Sequence, residues 1–224
     1  MPERCTAKCF IRPLRRADRQ AVRDICIQTA WLGGPGKGHI PDGWIWAEFW
    51  TRYFTDRAPQ NSWVLCSAGD ERVVGYLTGT DDVRRFDRYV PFLAPGIILR
   101  AIRKRLLRWP DTRAAAMAML KSIARGEMSI PPRLVSNYPA TMHIDLLSEA
   151  RGSGYGAELY EMFIRRMRSL GVPGVHAQTL SVNEPITRFC RNAGFTLANT
   201  KPIRAFQHAE TEPIEILTWI KSLA

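Results

Sequence analysis

The run Thr141-Met142-His143-Ile144-Asp145-Leu146-Leu147, continuing as Ser148-Glu149-Ala150-Arg151-Gly152-Ser153-Gly154-Tyr155-Gly156, decides how the chain is read. Its first seven residues alternate in character, as a strand with two unlike faces does. Three glycines follow at every second position. Beyond them Leu159, Tyr160, Phe163, Ile164 and Met167 recur at helical spacing as far as Leu170. A strand, a glycine turn and a helix in that order make an anion site. Glycines let successive backbone N–H groups converge, and the helix N-terminus adds partial positive charge. The spacing is GxGxG rather than the GxGxxG of dinucleotide folds, and no acidic ribose ligand stands about 20 residues on. The loop Gly33-Gly34-Pro35-Gly36-Lys37-Gly38 is no Walker loop either, because no strand leads into it and no Lys-Ser/Thr closes it.

Upstream, Phe10 to Leu14 is a strand, and Ala17-Asp18 opens a helix carrying Ala21, Val22, Ile25 and Cys26 at helical spacing. Residues 31–43 are a Gly/Pro loop, Trp44 to Phe54 an aromatic helix, and 62–67 and 72–78 two strands joined by a hairpin turn. Farther on, Ile98, Ile102, Leu106 and Trp109 repeat at helical spacing. Asp111 caps a helix over Ala114 to Ile123, Gly126 ends it, and Pro131-Pro132 mark a linker. Downstream of the glycine turn, Gly174 to Leu180 is a strand and Pro185 opens a short helix that Gly194 closes. Phe195–Ala198 and Ile214–Ile220 are the last two strands. The order predicts an α/β fold, a mixed central sheet flanked by helices, with ligands at the carboxyl ends of parallel strands.

The 224 residues suit a single domain over 1–224 with a helical insertion at about 83–137. Apolar residues at 46% and charged ones at 24% exclude a disordered, collagen-like or disulfide-scaffold chain. No apolar run approaches the ~20 residues of a membrane helix, and Met1 to Arg16 lacks the apolar core of a signal peptide, so a cytoplasmic location is expected. Cys5, Cys9, Cys26, Cys66 and Cys190 are odd in number without a CxxC pair, and His39, His143, His176 and His208 are scattered. Reduced thiols and no metal are the expectation. Between Val83 and Leu134 stand twelve Lys/Arg against three acids, +9 of the chain's +11. This basic insertion reads as a solvated helix face, as a membrane-surface or nucleic-acid contact, or as a lid over an anionic ligand.

The strand with Arg151-x-x-Gly154-x-Gly156 resembles motif A of the GNAT superfamily of acetyl-CoA-dependent N-acetyltransferases. Asn183-Glu184-Pro185 with Phe189-Cys190-Arg191-Asn192-Ala193-Gly194-Phe195 is similar to its second signature, and Tyr138 to Leu147 to the branch related to the acetyltransferase-like domain of O-GlcNAcases. The resemblance implies acetyl-CoA as cosubstrate, with its pyrophosphate on the amides of Arg151, Gly152, Ser153, Gly154, Tyr155 and Gly156. It implies pantetheine contacts from Leu146, Leu147 and Asn183, and transfer by direct attack of a primary amine on a small molecule or protein. The amine must lose a proton, and an imidazole with an ordinary pKa of about 6.5 suits that task. His143 is the implied base. Asp145, on the same strand face, could orient the ring, act as base, or pair with a cationic substrate. Asp81-Asp82 could bind an amine or be a solvated strand end, and Trp31, Trp44, Trp46 and Trp50 read as core or cleft wall or as an aromatic acceptor pocket. Cys190 stands where the family often has a tyrosine acid, and the alternative this leaves open is a catalytically silent acetyl-CoA-binding domain. The fold often dimerises, so a homodimer is a further expectation.

Overall fold

The computed structural model describes residues 8–36, 40, 42–206 and 213–223; Cys5, Lys37, Gly38, His39 and His208 lie outside them. The strands are β1 (Cys9–Pro13), β2 (Trp63–Ser67), β3 (Val73–Thr80), β4 (Ala140–Leu146), β5 (Gly174–Leu180), β6 (Thr196–Pro202) and β7 (Glu215–Ser222). They form one sheet in the order β1-β2-β3-β4-β5-β7-β6. Neighbours run antiparallel except β4 and β5, which are parallel. The helices are α1 (Arg19–Gln28), α2 (Gly43–Asp56), α3 (Val83–Tyr89), α4 (Ala94–Arg103), α5 (Pro110–Ala124), α6 (Pro132–Asn137), α7 (Tyr155–Ser169) and α8 (Glu184–Asn192).

Each face of the sheet has its own core. Leu159, Phe163 and Met167 of α7 and Cys190 of α8 pack with Leu65, Leu77, Val175 and Trp219 on one side. Val22, Ile25 and Cys26 of α1 and Ala47 of α2 pack with Val64, Cys66 and Tyr76 on the other. The β2–β3 register shifts between Leu65 and Cys66, so β3 carries one extra residue there. That bulge reverses the alternation and lets Val74 and Leu77 share one core while Val73 and Tyr76 share the other. Tyr76 is thereby aimed toward α1.

Helices α3 to α6 lie between β3 and β4. At one end Phe86 of α3 stacks on Phe54 and meets Tyr53, both from α2. In the middle Arg100 of α4 pairs with Asp42 at 2.9 Å and lies over the Trp44 ring. At the other end the buried Glu127 carboxylate accepts from Ser122 Oγ and from the backbone and guanidinium of Arg204. The helical spacing from Ile98 to Trp109 does not give one helix. Arg105 takes a left-handed φ of 50° and breaks the run after α4. Asp111 is not the cap of the next helix but stands in its first turn, behind Pro110 at the opening position. Pro132 likewise opens α6 instead of marking a linker, since proline's fixed φ and missing N–H cost nothing in a first turn.

Candidate active site

The sheet opens at β4. This strand pairs with β3 from Thr141↔Thr80 to Leu146↔Gly75, yet with β5 only at Ala140↔Val175 and Thr141↔His176. Past Thr141 the two parallel strands part. His176 sits at the branch point, buried, with its Nδ1–H donating to the Tyr138 carbonyl at 2.5 Å. Burial pushes its pKa down. A Cβ at Gly174 would stand 2.3 Å from the Tyr138 ring, so only glycine lets β5 come this close.

The opening leaves backbone groups of β4 without a strand partner. The Leu147 N–H donates to Val74 O at 2.9 Å and so faces β3. Backbone groups alternate sides along a strand, so Ile144 and Leu146 turn theirs toward the opening. The Leu146 carbonyl there accepts Arg151 Nε at 2.8 Å, while Arg151 Nη2 donates to Gly33 O at 2.6 Å. The Leu147 N–H is thus spent on β3, while the Leu146 carbonyl lies on the side of the opening.

Beyond a single helical turn over Ser148–Ala150 comes the glycine turn. Gly152 and Gly154 have φ of +75° and +86°, and a Cβ at either would meet nothing within 4 Å. Glycine is needed there for backbone conformation rather than for space. The amides of residues 152 to 156 make no backbone hydrogen bond among the described residues, and they lie at the N-terminus of the fifteen-residue α7. Ser153 is exposed, and the Tyr155 hydroxyl accepts from Cys9 N–H at 3.0 Å, tying the turn to β1. Unpartnered amides at this end and free strand backbone along the opening fit an anionic group carried on an extended amide-bearing arm.

His143 and Asp145 project from β4 toward α1 and α2, opposite Thr78 and Tyr76 of β3. The Tyr76 hydroxyl donates to Asp145 Oδ2 at 2.6 Å and lies 3.1 Å from His143 Nδ1. Because its proton goes to the carboxylate, the hydroxyl accepts from His143 Nδ1–H, which leaves Nε2 unprotonated in the neutral ring. Nε2 is 3.6 Å from Asp145 Oδ2, so a proton gained there meets a carboxylate. The His143 ring stacks on Trp50, 5.3 Å between centroids and 19° from parallel. Burial raises the Asp145 pKa against the opposing pull of His143, Tyr76, Thr29 and Arg151. Burial also raises Tyr76 well above the ordinary phenol and the Cys26 thiol to about 12.

Sequence reading missed Tyr76 and Cys26, which look like core residues of a strand and a helix; the only signal was the polar atom in each. Ligand atoms of Cys26, His143 and Asp145 lie within 4.8 Å of one another, a spacing that could hold a metal ion. The Tyr76 hydroxyl already satisfies His143 and Asp145 without one.

Trp46 and Trp50 pack at a tilt beside this cluster, 5.7 Å between ring centroids, and Phe206 packs on Trp31 and Trp46. Trp50 Nε1 is buried with no hydrogen-bond partner among the described residues. Trp44 instead lies under Arg100. Asp81 pairs with Arg85, and Asp82 caps α3 through the Arg84 amide. Asn183 caps α8 through its Oδ1, 3.4 Å from the Ile186 amide, which leaves its side-chain N–H₂ unassigned. Cys190 is buried in the α7–α8 core, where burial lifts its thiol to about 12. It packs as a small hydrophobe.

No family model matches the chain. Among solved structures, SsHAT is 31% identical, with a TM-score of 0.71 over 97% of this chain and 99% of the other. The polyamine N-acetyltransferase of Drosophila melanogaster that forms N-acetylagmatine is 15% identical, with a TM-score of 0.60 over 96% and 100%. The NatC complex bound to Gag peptide and CoA is 14% identical, with a TM-score of 0.54 over 97% and 99%.

Proposed function

The chain belongs to the GNAT superfamily of N-acetyltransferases, and from that premise we propose that it transfers the acetyl group of acetyl-CoA to a primary amine. The observation that carries this reading is the opening between β4 and β5, with the glycine turn at its end and His143 and Asp145 on its strand. Backbone groups of Ile144 and Leu146 would line the pantetheine arm, and the amides of Gly152 to Gly156 would hold the pyrophosphate. Arg151 must release the Leu146 carbonyl as the arm enters, which turns its guanidinium toward the phosphates. When bound, acetyl-CoA supplies the thioester carbonyl that the amine attacks.

His143 Nε2 takes the proton the amine must lose as the N–C bond forms and the C–S bond breaks. Tyr76 holds the tautomer that makes Nε2 available, and Asp145 stabilises the imidazolium. Cys190 is walled off in the core, so the departing thiolate takes its proton from solvent. Trp31, Trp46, Trp50 and Phe206 suit an amine on an apolar or flat body. With Asp81 and Asp82 committed elsewhere, a polycation such as the agmatine handled by the Drosophila enzyme fits less well.

The test is CoA formation from acetyl-CoA over a panel of primary amines. Turnover should favour aromatic or apolar amines, and His143→Ala should lower it about a hundred- to ten-thousand-fold, the usual share of a positioned base. Unchanged turnover in His143→Ala would remove the base. Tight acetyl-CoA binding without turnover of any amine would favour the silent-domain reading, to which the buried Cys190 lends support.

A further inference from the structure

Helix α4 faces the wrong way for a helix in water. None of its residues is buried, and Ile98, Leu99 and Ile102 are exposed while Arg100 and Ala101 lie on the better-covered side. Past the break at Arg105, Leu107, Trp109 and Leu120 of α5 are exposed as well. Ile102 and Trp109 are each 67% exposed. Arg103, Lys104, Arg105, Arg108 and Arg113 are exposed in the same stretch. Apart from Arg100, bound to Asp42, the cations from Arg100 to Arg113 have no ion pair among the described residues. Exposed apolar side chains interleaved in one stretch with cations that lack an ion pair among the described residues call for a partner that is apolar and anionic at once.

We propose that the α4–α5 segment docks this protein on an anionic lipid bilayer surface. Headgroups would take the cations and the acyl boundary would take Ile98, Ile102, Leu107 and Trp109, as for amphipathic helices that lie in the interface. A second copy of the chain is a poor match, because a two-fold contact would press this cationic patch against itself. Nucleic acid matches the cations and leaves the aliphatic side chains in water. No helix of the described residues is long and apolar enough to cross a membrane, and the ten-residue α4 suits lying along one. The Arg100–Asp42 pair and the Arg100–Trp44 contact hold the covered side of α4 against the rim of α2, which leaves the Ile98, Leu99 and Ile102 side facing outward.

Flotation of the whole chain with phosphatidylcholine vesicles, with and without phosphatidylglycerol, tests the proposal. Binding is expected only with phosphatidylglycerol and should fall as salt rises. It should drop about fivefold for each of Arg103 and Arg108 changed to Gln, and about tenfold or more in Ile102→Glu/Trp109→Glu. These positions are exposed, so melting temperatures should hold and lost binding would not reflect unfolding. As an independent readout, brominated lipid should quench fluorescence in the unaltered chain, and quench it less in Trp109→Phe. Failure to float with phosphatidylglycerol vesicles overturns the proposal. So does a stable dimer that Ile102→Glu makes monomeric, and so does salt-sensitive RNA retention without vesicle binding. None of these outcomes depends on acetyl transfer.

Discussion

Replacing Tyr76 by phenylalanine isolates the hydroxyl at the centre of the acid–base cluster. The side chain is fully buried and the ring is kept, so no cavity opens. What is lost is a 2.6 Å bond to Asp145 and a 3.1 Å contact with His143 Nδ1. A hydrogen bond to a charged group contributes about 1.5–3 kcal/mol. In a chain of this length each kcal/mol moves the melting temperature by about 2–4 °C, so Tyr76→Phe should melt roughly 3–12 °C lower. The effect on turnover has another origin. Without the hydroxyl the imidazole is free to carry its proton on Nε2, the atom needed as base, and turnover should fall about ten- to a hundredfold, part of what a positioned base supplies. The KM for acetyl-CoA should hold, because Tyr76 lies on β3, across β4 from the opening. Initial rates of CoA formation over a range of pH, beside a thermal melt, report both effects. A variant that melts lower but keeps the turnover and pH profile of the parent would refute tautomer control, leaving Tyr76 a packing residue.

Asp145→Asn should lower turnover by about tenfold or more, because the imidazolium loses its carboxylate. Burial raises the folded-state pKa of Asp145, so its protonated form favours the fold. That stability is present below about pH 3.9 and is lost as pH rises through the raised folded value. At neutral pH the amide should therefore melt no lower than the parent, which a pH series of melts checks. His176 has a lowered folded pKa, so its stabilisation is present above about pH 6.5 and is lost as pH falls through the folded value. His176→Asn, which keeps a donor for Tyr138, should flatten that acid slope while melting lower overall through lost packing. Gly154→Ala puts a Cβ at φ +86°, costing about 1–2 kcal/mol of backbone strain. It should weaken acetyl-CoA binding more than it changes turnover at saturation, as calorimetric titration and rates together would show.

The glycine turn was legible because its chemistry is local: residues 151–156 state their own conformation, and Leu159 to Met167 state a helix. The opening beside it was not, because two strands part only after β5 has found β4, and no residue of either marks where pairing stops. Tyr76 was hidden for a related reason. Its aim toward Asp145 depends on a bulge at Leu65–Cys66, whereas Tyr76 itself reads as core. Asp81-Asp82 has the local uses that a strand end followed by a helix offers, one carboxylate as cap and the other in an i,i+4 pair with Arg85, and short-range spacing makes both readable. The break at Arg105 was invisible to periodicity, because Leu106 and Trp109 keep helical spacing across it.

Thermal unfolding with acetyl-CoA, run beside free CoA and NADH, tests most directly whether the β4–β5 opening and its glycine turn hold the cosubstrate. At about a hundredfold excess over Kd, binding adds roughly 2.7 kcal/mol, or about 5–10 °C for a chain of this size. A rise with acetyl-CoA and free CoA but not NADH, diminished in Gly154→Ala, is the predicted result. No rise with acetyl-CoA, or an equal rise with NADH, would contradict the account.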